Sequence, residues 1–96
     1  MKVKIQTVHF DADYRLEEFI HERMNKLLNR YKYIIDANVT LRLEKSESKE
    51  NKVAEIRINV PGEPVFVKKQ SKSFEEAVDT TVEALHRKME RIKNKR

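Results

Sequence analysis

The chain has 96 residues, 39% of them charged, a formal net charge of +5 and no cysteine. That length supports one modest hydrophobic core, read as a single domain over residues 1–96, and the missing thiols exclude disulfides, thiolate catalysis and cysteine-based zinc sites. Apolar runs are only a few residues long, so neither a signal peptide nor a membrane span is expected, and the setting implied is reducing and cytoplasmic.

Residues 2–8 read as a strand, with Val3 and Ile5 on one face and Lys2, Lys4 and Gln6 on the other. Asp13 is placed to cap a helix over roughly 14–31, because an apolar stripe of helical spacing begins after it at Leu16, Phe19, Ile20, Met24, Leu27, Leu28 and Tyr31. From 37 to 45 the period becomes two, Val39, Leu41 and Leu43 alternating with Thr40, Arg42 and Glu44; the polar run from Ser46 to Asn51 then reads as a hairpin loop. Ala54, Ile56, Ile58 and Val60 mark a third strand, stopped by the Pro61-Gly62-Glu63-Pro64 turn, and Val65 to about Lys69 predicts a fourth. Ser73 and Glu76 have capping-box spacing. They open a helix of about twenty residues, roughly 30 Å long, with Phe74, Ala77, Val78, Thr81, Val82, Leu85, Met89 and Ile92 on its apolar stripe. The order β-α-β-β-β-α predicts an α+β domain: a four-stranded, mainly antiparallel sheet with two helices packed on one face.

The excess charge is concentrated. Residues 86–96 hold six Lys/Arg against one Glu, a net of +5, so the remainder of the chain is balanced. Drawn as a wheel with Leu85 at zero, the second helix carries Glu75, Glu76, Asp79, Glu83 and Glu90 at roughly 80–180° and Arg87, Lys88, Arg91 and Lys95 at roughly 200–300°, with Lys93 the exception. A macrodipole orders charge along a helix, not around it. Sideways sorting therefore implies either a neighbouring acidic surface or a ligand. On the first helix Arg15, Arg23, Lys26 and Arg30 cluster on the same rotational side of the apolar stripe, with Glu22 beside them. Two basic flanks suit a polyanion, and phosphate contacts supply most non-specific nucleic-acid affinity.

Catalytic chemistry is not indicated. One glycine excludes Gly-rich phosphate cradles, and His9, His21 and His86 share no ligand spacing. No catalytic serine motif or acid–base carboxylate pair stands out, so no enzyme, cofactor, metal or small-molecule substrate is expected. Sheet-based RNA reading requires aromatics on the open face. Thr40, Arg42, Glu44, Glu55, Arg57 and Asn59 supply none, which favours the helices as the binding surface.

Leu16-x-Glu18-Phe19-Ile20 with Lys26-Leu27, the strand from Val39 to Lys45, and Ala77-Val78-Asp79 running into Leu85-x-Arg87-x-Met89-x-Arg91-x-Lys93 together resemble the ribosome hibernation promoting factor family, also called ribosome-associated inhibitors. The resemblance covers essentially the whole chain. It implies a monomeric protein that binds the ribosomal RNA of the small ribosomal subunit, in the channel between head and body, overlapping the mRNA and tRNA positions near the decoding centre. It also implies that Arg23 and Lys26 of the first helix and Arg87, Arg91 and Lys95 of the second touch RNA. Arg30 and Lys88 share those flanks, and Lys68, Lys69 and Lys72 add cations before the second helix. Two positions depart from the family pattern: Ser73-Phe74-Glu75 stands where Asp-Met-Tyr is common, and Ala84 where a lysine is. A chain ending at Arg96 resembles the short members, without a C-terminal dimerisation domain or acidic tail.

Two other readings compete. A double-stranded RNA-binding domain has a similar α-β-β-β-α core and a helix-start lysine cluster like Lys68-Lys69-Gln70-Ser71-Lys72. A protein-interaction module that binds no nucleic acid is the other. Salt separates them, since phosphate-driven binding weakens steeply as salt rises and an apolar interface does not.

Overall fold

The computed structural model describes residues 2–44 and 49–94; Lys95 and the Ser46–Ser48 part of the expected hairpin loop lie outside them. The elements are β1 (Val3–Val8), α1 (Tyr14–Arg30), β2 (Asp36–Leu43), β3 (Lys52–Asn59), β4 (Val65–Ser71) and α2 (Phe74–Asn94). They form one sheet in the order β1-β2-β3-β4. β1 pairs parallel with β2 because α1 carries the chain back across the sheet; short connections make the other pairs antiparallel.

Local chemistry places the helix starts. The Asp13 carboxylate accepts from the Leu16 N–H at 2.8 Å, and the Ser73 hydroxyl accepts from the Glu76 N–H at 3.1 Å, each satisfying an otherwise unpaired first-turn donor. Gly62 sits at φ +99°, a conformation open to glycine, where the chain reverses between β3 and β4. Phe10, just after β1, stacks on Phe74 with ring centroids 4.3 Å apart and so pins the start of α2 to the β1–α1 loop.

The sheet alternates as a two-faced surface should. Ile5, Val39, Ile56 and Val67 form one apolar row across all four strands on the helix side. Leu16, Ile20, Met24 and Leu27 of α1 and Ala77, Val78, Leu85 and Met89 of α2 complete the core above it. Each large aliphatic side chain buried this way contributes about 1.5–3 kcal/mol relative to exposure. Thr81 is also fully buried, and its hydroxyl donates to the Ala77 carbonyl at 2.6 Å, so the polar group is satisfied within the helix. The fourth strand runs two residues past the expected end, to Ser71. Lys68 and Lys69 are strand residues, within the bounds expected from sequence, and do not open a helix.

Candidate nucleic-acid interface

α1 and α2 lie side by side and run in the same direction, since Arg23 meets Asp79 at one level and Tyr31 meets His86 and Glu90 further along. The basic flank of α1 faces the acidic flank of α2. Arg23 Nε donates to Asp79 Oδ1 at 2.7 Å, and Arg30 Nη2 lies 3.7 Å from Glu90 Oε2. Between the helices runs a shallow groove floored by Leu27 and Val82, with Arg23, Lys26 and Arg30 on one wall and Asp79 and Glu83 on the other. The two basic flanks accordingly do not share a groove. For α1, the cause of sideways sorting is a neighbouring acidic surface, the one that sequence left open beside a ligand.

The basic flank of α2 lies on the far side of that helix, towards β4. Lys88 Nζ donates to the Phe66 carbonyl at 3.1 Å, and Arg91 shares a depression with Pro64, Val65 and Phe66. Arg91 has no ion-pair partner among the described residues. Arg87 is bridged to Glu83 at 2.9 Å, but both side chains are more than half exposed. Such surface pairs are worth about 0.2–1 kcal/mol, so the guanidinium can exchange its carboxylate for a phosphate at little cost. Lys26 is comparable: it projects from α1 with 74% of its side chain exposed, 3.9 Å from Glu22. Arg23 is more constrained, because its guanidinium also lies 4.3 Å from the centroid of the Phe19 ring.

Where the helices converge, Tyr31 is buried and its hydroxyl donates to the Glu90 carboxylate. A hydroxyl has one proton to give. Arg30 Nε–H donates to the same oxygen at 3.4 Å, and His86 Nδ1 lies 3.0 Å from it. Burial first, and the Glu90 hydrogen bond second, push the Tyr31 hydroxyl above its ordinary pKa. His9 is elsewhere, with Nδ1 3.3 Å from the Leu43 carbonyl. Among the described residues no group of three or more His, Asp or Glu side chains converges as a metal site.

The remaining two lysines separate. Lys69 lies on the helix side of β4 and Lys68 on the open side, across from Glu55, so they cannot grip one phosphate path. The lysine cluster that suggested a double-stranded RNA-binding helix start is dispersed along an edge strand and the loop after it. One aromatic was missed. Phe66 stands on the open face opposite Arg57 and is 48% exposed, so this face does carry a ring. The signal was the period-two pattern Val65-Phe66-Val67, in which apolar neighbours facing the core force Phe66 outward.

The family model of sigma 54 modulation protein / S30EA ribosomal protein matches residues 3–96. Among solved structures, a ribosomal subunit interface protein from Coxiella burnetii is similar at TM-score 0.86 and 15% identity, covering 98% of this chain and 99% of that one. The N-terminal domain of Thermus thermophilus Protein Y is similar at TM-score 0.79 and 19% identity, covering 96% and 99%. At those identities the likeness concerns the fold. No curated protein matches the sequence. No described helix is long and apolar enough to cross a membrane.

Proposed function

We propose that this chain, which belongs to the sigma 54 modulation protein / S30EA ribosomal protein family, binds the small ribosomal subunit near the decoding centre and inhibits translation by occupying the mRNA and tRNA sites. The observation that carries the reading is the division of labour on α2. Asp79 and Glu90 of its acidic flank are engaged with α1, while Lys88 and Arg91 lie on the β4 side and Arg87, bridged to Glu83, is exposed between. By sequence Lys95 extends this basic flank, while Lys26 offers a separate exposed cation on the α1 side of the seam. In this reading Arg23 and Arg30 support the surface from the helix seam, and the protein acts in the cytoplasm as a monomer, by occupancy and without catalysis.

Co-sedimentation with purified small subunits across a salt series tests it. If about five phosphates are neutralised, log K falls against log salt with a slope on the order of −3.5 to −4.5. Inhibition of translation in vitro is then stoichiometric with ribosomes and reversed by washing with salt. Binding that ignores salt, or cleaved ribosomal RNA, sinks the proposal.

A further inference from the structure

We propose that the open face of the sheet carries a stacking site for an unpaired RNA base, formed by the Phe66 ring with Arg57 and Lys68 beside it. The choice of RNA rests on the ribosome-binding reading, but the surface is one which that reading leaves idle.

Pairing register aligns Lys4, Asn38, Arg57 and Phe66 in a row across the four strands. With neighbouring strands about 4.8 Å apart the row spans about 14 Å, and Lys68 follows Phe66 on the same face about 7 Å along β4. The row contains no carboxylate. Elsewhere on this face the acids have partners: Glu55 and Glu44 lie against Arg42, and Asp36 accepts from the Asn59 amide. Arg57 and Lys68, the cations nearest the ring, form no ion pair among the described residues, since Glu55, across from Lys68, is taken up by Arg42.

A lone exposed phenylalanine is ordinary on a protein surface. This one is distinguished by its company. Among the described strand residues it is the one large apolar side chain left exposed, so the face lacks the contiguous apolar patch a protein partner would need. A ring with two cations beside it matches a nucleotide instead, because every base has a face to stack and every phosphate a charge to pair. Position adds to this. Phe66 borders the depression lined by Arg91 and Lys88, with Glu63 the one acid on its rim, so RNA leaving the basic strip of α2 meets the ring at the sheet edge.

The chain contains no tryptophan, so Phe66→Trp introduces a single indole as reporter. Titration with single-stranded oligoadenylate of about ten nucleotides should quench that fluorescence to saturation. Heparin, which has charge but no bases, should leave it unquenched. By anisotropy of labelled oligoadenylate, Phe66→Ala should weaken binding about five- to hundredfold, with Arg57→Gln in the same direction. An unquenched indole, equal quenching by heparin, or unchanged affinity in Phe66→Ala overturns the site. Failure of the ribosome-binding reading is separate: it shows as unsubstituted protein that does not sediment with ribosomes, whereas failure of the stacking site shows as an unquenched indole in a protein that still does.

Discussion

Arg23 on α1 and Asp79 on α2 form a hydrogen-bonded ion pair at 2.7 Å, 56 residues apart in sequence, with the Phe19 ring beneath the guanidinium. A residue that would be counted among the RNA contacts by its helix flank is thus held by protein on two sides. Arg23→Gln should weaken ribosome binding less than Arg91→Gln, whose guanidinium meets no carboxylate among the described residues. Asp79→Asn should strengthen binding, because it releases Arg23 and removes a charge that repels phosphate; the salt slope should steepen by up to about one. Salt-titrated sedimentation of the three variants checks the order. Equal losses for Arg23→Gln and Arg91→Gln would return Arg23 to the RNA surface.

Charge reversal on α2 separates binding from folding. Arg87 and Arg91 lie off the apolar stripe, and Arg87 contributes to the fold only an exposed pair with Glu83, worth about 0.2–1 kcal/mol. The double substitution Arg87→Glu with Arg91→Glu should abolish ribosome binding and leave the thermal transition within a few degrees of its original position. Retained binding by this variant would mean that the helices are not the main surface.

Most of the fold was legible because each element announces itself locally. Asp13 and Ser73 cap where their spacing places them, and the alternation of Val39, Leu41, Ala54, Ile56 and Ile58 assigns the core face of the sheet. The two basic flanks were also legible, since position around a helix follows from residue number alone. What each flank faces was not. That depends on the crossing of α1 and α2, set by long-range packing of Tyr31, Met24 and Leu85 into one core rather than by any local pattern. Lys68 and Lys69, by contrast, were separable from sequence: adjacent in the strand expected over Val65 to about Lys69, they fall on opposite sides of β4. Phe66 was readable from strand alternation, had the pattern been carried one strand further.

The Tyr31 cluster links stability to alkaline pH. Burial and the Glu90 bond hold the folded-state pKa of the hydroxyl above its unfolded value of about 10. In that window the folded state binds more protons than the unfolded one. The contribution is therefore complete below about pH 10 and is lost as pH rises through the folded value. Tyr31→Phe should cost about 1–2 kcal/mol at pH 7, discounted because Glu90 is partly open to water, and should flatten the alkaline fall in stability relative to the unsubstituted protein. Denaturant titrations at pH 7 and above pH 10 measure both. Parallel alkaline limbs in the two proteins would show that Tyr31 does not control that transition.

Inhibition by occupancy requires a folded platform, and Leu85 tests that requirement from inside. Its side chain is fully buried beneath α2, at the centre of that helix's apolar stripe. Leu85→Asp places an unpaired carboxylate there, a change of the kind that costs more than about 4 kcal/mol. For a domain of this length total stability is on the order of 5–14 kcal/mol, so most or all of the margin is consumed. Leu85→Met keeps the volume and should cost less than about 1.5 kcal/mol. Circular dichroism should then show the aspartate variant largely unfolded and without inhibitory activity, while the methionine variant inhibits at the same stoichiometry as the original. Inhibition by an unfolded Leu85→Asp chain would mean that the basic sequence acts as a flexible polycation, and that the placement of Arg87 and Arg91 on a rigid helix is irrelevant to how the protein works.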